Sequence, residues 1–390
     1  MRMNVSWLVL AALCLVGMET VGAAGPLTKR VAKNVNLAGK NRAEIQRALR
    51  AVPANQRDGM EFLVAYMPER DLQQLSARFL LENVEYAYRA WHEAPWKKQI
   101  SVDMFMNNIL PFANVTERRD RWRKDFYTRF QPLVARATSP SQAAAILNQK
   151  IFPLLNVHYS RKRRRADQGP LESIETGTAS CTGLSILLID ACRAVGVPAR
   201  FAGTPLWADR SGNHSWVEVW DGGWHFTGAA EPTGAQLDRA WFVGRASKAM
   251  RDDRMHAIYA VSYRATPLLF PTVWAHGRPF VHAVNVTDRY TRDQKPHAPG
   301  ALEVRFRVID GPGGSRLRCR LEFRDSAGKT LLKAETKDER FDGNDHLATV
   351  VPKPGKYQVH VHYGDTRWTT IIDVTTDGQL ITLDATRAGT

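Results

Sequence analysis

The sequence predicts an α+β protein with an N-terminal helical region, a core of one apolar helix packed on an antiparallel sheet, and a C-terminal β-sandwich. Three observations predict it. Helical periodicity dominates from Asn41 to Asn156. An apolar segment, Leu184 to Cys192, is followed directly by runs that alternate with a period of two. From Pro299 onward only alternating runs remain, separated by turns rich in Gly and Pro. The chain has 390 residues, room for two or three domains at roughly 100–200 residues each. Its 44% hydrophobic and 24% charged content excludes a disordered or fibrous chain.

Residues 1–23 have the pattern of a secretory signal peptide: Arg2, an apolar stretch from Val5 to Met18, then the small residues of Val21-Gly22-Ala23. The apolar stretch is shorter than the roughly 20 residues a membrane span needs. Cys14 follows Leu13, where a lipoprotein signal would place a small residue, so no lipid anchor is expected. The expectation is a secreted, periplasmic or cell-surface protein with no transmembrane span in the mature chain. The net charge of +15 is compatible with nucleic acid, an acidic membrane or acidic polymers. No zinc-finger spacing, RNP-like strand or Gly-rich phosphate loop accompanies it, so no nucleic-acid partner is expected and a solvated basic surface accounts for the charge.

The helical N-terminal region spans 24–156. Residues 24–40, basic and polar, read as a loose arm. Short amphipathic runs follow, separated by Pro53 and Pro68, and continue through Leu80–Trp91 and Val102–Leu110. Glu117 to Phe130 reads as one helix with Trp122, Phe126 and Phe130 on a core-facing stripe. Ser139-Pro140 opens a further helix, with Ser as cap and Pro at the first helical position. The run Arg161-Lys162-Arg163-Arg164-Arg165 reads as a solvated loop, with a reach toward an anionic substrate or surface as the alternative. The core spans 157–290. Gly196-Val197-Pro198 ends its helix, and Asp221-Gly222-Gly223 turns a hairpin between Ser215–Trp220 and Trp224–Thr227. The sandwich spans 299–380. In it His360 and His362 share a strand face, a geometry open to metal but without a third ligand, so surface histidines are expected.

Chemistry concentrates at Ser180-Cys181-Thr182-Gly183. A cysteine on the first turn of a helix meets unpaired backbone N–H groups and the positive end of the helix dipole, which favour the thiolate. Cleavage of the signal would leave Cys181, Cys192 and Cys319, too few for a disulfide framework. Cys181 and Cys192 stand about 16 Å apart along a helix, too far to bridge. At least one thiol is therefore free in an oxidising compartment. Cys192 and Cys319 read as core and structural residues.

A thiol nucleophile needs a base, and His214 heads the alternating run His214-Ser215-Trp216-Val217-Glu218-Val219. Together with Gly196-Val197-Pro198-Ala199-Arg200 and Trp224, these residues resemble the transglutaminase-like superfamily of papain-like cysteine enzymes, over about residues 175–235. The resemblance implies a papain-like transglutaminase core, Cys181 as nucleophile, His214 as general base, and an oxyanion site at the Cys181 backbone N–H. The family's orienting Asp falls on Gly228 here. In the hairpin register Trp220 faces Trp224, Trp216 faces Gly228 and His214 faces Ala230, and none of Gly228, Ala229 or Ala230 can orient an imidazole. Glu231 is the nearest carboxylate and needs a bulge at Gly228 to reach His214; a bare dyad or a backbone carbonyl are the alternatives.

The implied function is cysteine-dependent acyl transfer on peptide or amide bonds through a Cys181 thioester, hydrolysis first and protein cross-linking as a variant. No cofactor or metal is called for. The partner expected is a protein or peptide substrate, with a further partner possible through the β-sandwich. The contrasting reading is a surface binding or assembly protein that keeps the fold and has lost the activity.

Overall fold

The computed structural model describes residues 26–275, 277, 279–292 and 298–387. The segment read as a secretory signal, residues 1–23 with Cys14, lies outside them. Eight helices come first: α1 (Pro26–Leu37), α2 (Arg42–Ala51), α3 (Arg57–Tyr66), α4 (Glu69–Leu72), α5 (Ala77–Glu93), α6 (Val102–Asn108), α7 (Arg123–Phe130) and α8 (Pro140–Leu155). The stretch read as a loose arm is the helix α1. Val31 and Val35, four residues apart, pack on the core. Asn34 Nδ2 donates to the carbonyls of Val64 and Ala65 at 2.8 and 3.1 Å. These contacts outweigh the segment's polarity, as tertiary packing does for most helices.

The helix read over Glu117–Phe130 starts only at Arg123. Glu117 turns its carboxylate onto the backbone N–H groups of Asn114 and Val115, at 2.6 and 2.8 Å, and holds the preceding stretch as a loop. A carboxylate that satisfies backbone donors locally competes with helix formation. The stripe itself is core: Trp122, Phe126 and Phe130 are buried, with ring centroids 5.8 and 4.9 Å apart along the series. Ser139 caps α8, accepting from the Gln142 N–H at 3.3 Å with Pro140 behind it.

Next come β1 (His158–Tyr159), α9 (Pro170–Thr176), β2 (Thr178–Ala179) and α10 (Cys181–Ala194). Every residue of α10 from Thr182 to Ala194 is buried. Its last turn is tied to the N-terminal helices by two buried arginines. Arg193 donates to the carbonyls of Asn108, Ala113, Pro111 and Ala199. Arg123 donates to those of Ile109, Leu110, Pro111 and Arg193. Burial pulls Arg123 down to about 9 and Arg193 to about 10.

A six-stranded antiparallel sheet packs on α10. It contains β3 (Ala199–Thr204), β4 (His214–Trp220), β5 (Trp224–Thr227), β6 (Tyr259–Val261), β7 (Leu268–Leu269) and β8 (His282–Asn285), in the order β5-β4-β3-β6-β8-β7. Trp220 pairs with Trp224, as the hairpin reading expected. Gly203, opposite Ser215 in the β3–β4 pair, permits the close approach there: a Cβ would lie 2.6 Å from the His214 carbonyl oxygen. The sheet's other face buries Trp207, Trp216 and Phe242, with α11 (Val243–Ala246) and α12 (Thr287–Thr291) beside it.

The C-terminal part is two four-stranded sheets. One contains β9 (Leu302–Ile309), β10 (Arg316–Leu317), β13 (Leu347–Val351) and β16 (Gln379–Asp384). The other contains β11 (Arg320–Arg324), β12 (Thr330–Glu335), β14 (Gly355–Tyr363) and β15 (Thr366–Val374). Between them Val304, Phe306, Phe323, Val359 and Val361 form a separate apolar core. The sandwich is fastened to the sheet domain by charges: Arg305 to Asp209 at 3.1 Å and Lys248 to Asp377 at 2.8 Å. Among the described residues no helix is long and apolar enough to cross a membrane.

Glu218 of β4 is fully buried and accepts from Arg200 at 2.7 Å, from the Tyr290 hydroxyl at 2.8 Å, and from Arg289. Arg200 also lies over the Trp224 ring, 3.7 Å from its centroid. Glu218→Ala would strand the buried Arg200 guanidinium, and is expected to destabilise the chain by about 3–5 kcal/mol in urea unfolding. A loss below about 1 kcal/mol, the range of an exposed pair, would show that the site is not closed to water.

Candidate active site

Two neighbours in the fold set the site: the first residue of α10 and the first residue of β4. Ser180 caps α10, its Oγ accepting from the Gly183 N–H at 3.2 Å, which puts Cys181 on the first turn. Across from it Thr182 and Ser215 share a hydroxyl–hydroxyl bond at 3.1 Å, locking the helix start to the strand head. The Ser215 backbone N–H faces the Cys181 sulfur. His214 is 2% exposed, its ring between Trp241 and Phe242 at centroid distances of 4.8 and 5.0 Å. Neither of its nitrogens has a hydrogen-bond partner among the described residues.

The carboxylate that meets this pair comes from the sandwich. Asp342, in the loop between β12 and β13, places Oδ2 3.5 Å from His214 Nδ1. One donor atom from each of Cys181, His214 and Asp342 lies within 4.8 Å of the other two. That compactness decides how Asp342 relates to the pair. A carboxylate orienting the imidazole from its far nitrogen would stand about 7 Å from the sulfur, across the ring. Asp342 instead lies on the cysteine's own side of the ring. A thiolate, an imidazole and a carboxylate this close are also donors that zinc accepts.

The Asp342 loop is preshaped. Asp342 Oδ1 accepts from the Asn344 N–H at 2.8 Å, and its carbonyl accepts from the Asp345 N–H at 3.0 Å. Arg316, buried on β10, donates to the carbonyls of Asp338, Phe341 and Asp345. Arg305 and Lys248 fasten the same sandwich to the sheet domain.

The electrostatics follow from burial and crowding. Burial first, and then the Asp342 charge, push the Cys181 thiol well up, while the Ser215 N–H opposes them. Burial acts to raise Asp342 as well, but contact with His214 and the Asn344 N–H hold it below the usual carboxylate range. Glu231 is raised well above that range by burial, then by Asp345 and Asp342.

Of the residues singled out in the sequence, Cys181 and His214 come together. Glu231 lies close by but has a different partner: its Oε2 accepts from Trp241 Nε1 at 2.9 Å. The β4–β5 ladder stops at Thr227, and Glu231 N–H bonds back to the Gly228 carbonyl at 3.3 Å, with Ala230 at φ 62°. The chain turns there; it does not continue as a bulged strand. A Cβ on Gly228 would lie 2.1 Å from Glu231 Oε2, so a side chain there would displace the Glu231 carboxylate. His360 bonds Thr369 at 2.8 Å on the sandwich surface. Asp342 and Tyr159 were not legible as site residues. Tyr159 is raised by burial and by the Asp342 and Cys181 charges, and its hydroxyl faces Gly343.

With this geometry in view, residues 128–228 match the family model described as the transglutaminase-like superfamily. The core of this chain is transglutaminase-like. Solved structures that resemble it include a candidate cysteine protease from Cytophaga hutchinsonii, 20% identical, with a TM-score of 0.26 over 32% of this chain and 42% of that one. Another is the major pilin subunit of Bacillus cereus, 11% identical, with a TM-score of 0.16 over 44% of this chain and 36% of that one. The chain thus spans less than half the length of either structure. No curated protein matches it. The transglutaminase-like match ends at residue 228, before Glu231 and the whole sandwich.

Asp345 supplies a pH prediction. Burial, outweighing Lys337, raises its carboxyl to about 6, above the ordinary 3.8. Below pH 3.8 the group is protonated in folded and unfolded chains alike. Between there and about 6 the unfolded chain releases its proton first, so folding stability falls as the pH rises through that window. Asp345→Asn cannot ionise. It is expected to raise Tm over wild type at pH 8 and to leave it nearly unchanged at pH 4. The same Tm difference at both pH values would contradict the assignment.

Proposed function

We propose that the chain is an exported, cysteine-dependent acyl-transfer enzyme that acts on peptide or amide bonds, in the first place as a hydrolase. The observation that carries this reading is the meeting of Cys181, at the start of α10, with His214, at the head of β4. His214 takes the thiol proton as the Cys181 sulfur bonds to the substrate carbonyl carbon. The carbonyl oxygen gathers negative charge and is met by the Cys181 backbone N–H; Tyr159, whose proton burial retains, is the neighbouring donor. The C–N bond breaks, the amine leaves with the proton from His214, and a thioester remains. Water then attacks with His214 as base, the C–S bond breaks, and acid and thiol are released. An amine in place of water gives cross-linking.

Asp342 stands in the position the substrate carbonyl needs, so the conformation described is a closed one. In it burial and the Asp342 charge disfavour the thiolate, and Asp342 of the sandwich stands 3.5 Å from His214 Nδ1. Catalysis requires the 336–346 loop to withdraw, which restores a route to Cys181 and removes the charge that opposes the thiolate. The same closure favours the contrasting reading, a surface binding or assembly protein that retains the fold without turnover, with the sandwich as its partner surface.

Labelling by a small thiol electrophile separates the two. In wild type, Cys181 is expected to react slowly and in preference to the buried Cys192 and Cys319. Asp342→Ala should accelerate labelling at Cys181 by at least about tenfold, one unit of thiol pKa. It should also increase hydrolysis of a peptide-library substrate, and Cys181→Ala should abolish both. Faster labelling without turnover in Asp342→Ala would support the binding protein. Unchanged labelling would remove Asp342 from the site.

A further inference from the structure

The basic run Arg161–Arg165 is not explained by the chemistry so far. It read as a solvated loop, but the fold bolts it to the nucleophile. β1, immediately before the run, pairs in parallel with β2, immediately before Ser180. The Ser160 N–H donates to the Ala179 carbonyl at 2.9 Å. After the run, the Ala166 carbonyl accepts from the hydroxyl of Ser180, the capping residue of the Cys181 helix, at 2.5 Å. Both ends of a five-residue excursion are therefore fixed within two residues of Cys181. A loop that served only to solvate the surface would not need either anchor.

The run lines one side of an open cleft of about 610 Å³. Tyr159 lies at its inner end, with Gly343 and Asn344 of the Asp342 loop opposite. A second cleft of about 500 Å³ is bounded by Tyr159, Ala230 and Phe341. The two clefts share Tyr159 in their walls. Their charge is uneven. Arg164 is paired with Glu175 and Arg165 with Glu172. Among the described residues, Arg161 and Arg163 have no carboxylate partner; Arg163 Nη1 donates only to the Arg161 carbonyl, at 3.3 Å. Arg163 is half-buried, and its charge is felt at the Cys181 sulfur.

From this placement we infer that Arg161 and Arg163 form a subsite that takes a carboxylate side chain of an acidic peptide beside the Cys181 thiol. The inference rests on the acyl-transfer reading for the peptide's fate, but not for its binding. Guanidinium groups left without an internal carboxylate are suited to planar anions, and a partly enclosed cleft screens the pairing less than open surface does.

Binding is tested without turnover, so a failed subsite and a failed enzyme give different results. Fluorescence anisotropy is measured on the full chain with labelled hexapeptides that differ only in charge, containing two Glu, two Gln or two Lys, at low salt. The Glu peptide should bind at least about tenfold more tightly than the Gln peptide, and the Lys peptide most weakly. Arg161→Ala/Arg163→Ala should reduce the Glu preference to within about twofold and leave the Gln peptide unchanged. Lys353→Ala/Lys356→Ala, an equal charge loss on the sandwich surface, should leave the preference intact. Equal binding of the Glu and Gln peptides would overturn the subsite, as would a preference that survives the double arginine variant or is lost equally in the lysine one. If the preference behaves as expected while Cys181 resists every electrophile, the subsite stands and the acyl-transfer reading falls.

Discussion

The site depends on α10 being buried along its length against β3 and β4. A helix with no exposed turn cannot slide or rotate without opening a cavity or stranding Arg123 and Arg193, whose guanidinium groups hold its C-terminal end to the carbonyls of 109–113. That fixes the N-terminal end too. Ser180 caps it, Thr182 ties it to Ser215, and Cys181 has no freedom except its own rotamer. The buried Glu218 cluster does the same for β4, so the imidazole at its head faces the thiol as a consequence of packing.

On this rigid pair the sandwich imposes a second constraint of a different kind. Its core is separate, and its ties to the sheet domain include exposed or partly exposed charges such as Lys248–Asp377. Pairs of that sort are individually weak and sensitive to salt. The 336–346 loop, by contrast, is stiffened internally by Arg316 and by the Asp342 turn. A stiff loop on a loosely attached body is suited to leaving and returning as a unit. On the proposed acyl-transfer reading, Asp342 opposes the thiolate when it is present and relieves it when it departs, which would couple reactivity to the position of the sandwich.

Much of this was legible in the sequence because it is local. The capped helix start, the Asp221-Gly222-Gly223 hairpin and the Trp122–Phe126–Phe130 stripe follow from spacing and periodicity, whereas the pairing of Cys181 with His214 was implied by the family resemblance. What escaped depends on contacts between distant segments. α1 is a helix because Val31, Asn34 and Val35 find α3 and the core, which composition does not disclose. The loop before α7 follows from one carboxylate choosing backbone donors. Asp342 lies 128 residues after His214, in a turn whose Asp-Gly-Asn sequence has an ordinary local explanation. The hairpin register directed attention to 228–231, yet Ala230 turns the chain and gives Glu231 to Trp241.

A disulfide trap tests the central geometry most directly. Asp342→Cys places a thiol where the carboxylate stands, within reach of Cys181. Under mild oxidation the account predicts a disulfide between Cys181 and the introduced cysteine in peptide mass spectra, formed in most molecules and reversed by reductant. If Cys181 stays free under conditions that oxidise exposed thiols, the sandwich loop does not cover the nucleophile and the closed-site account is contradicted.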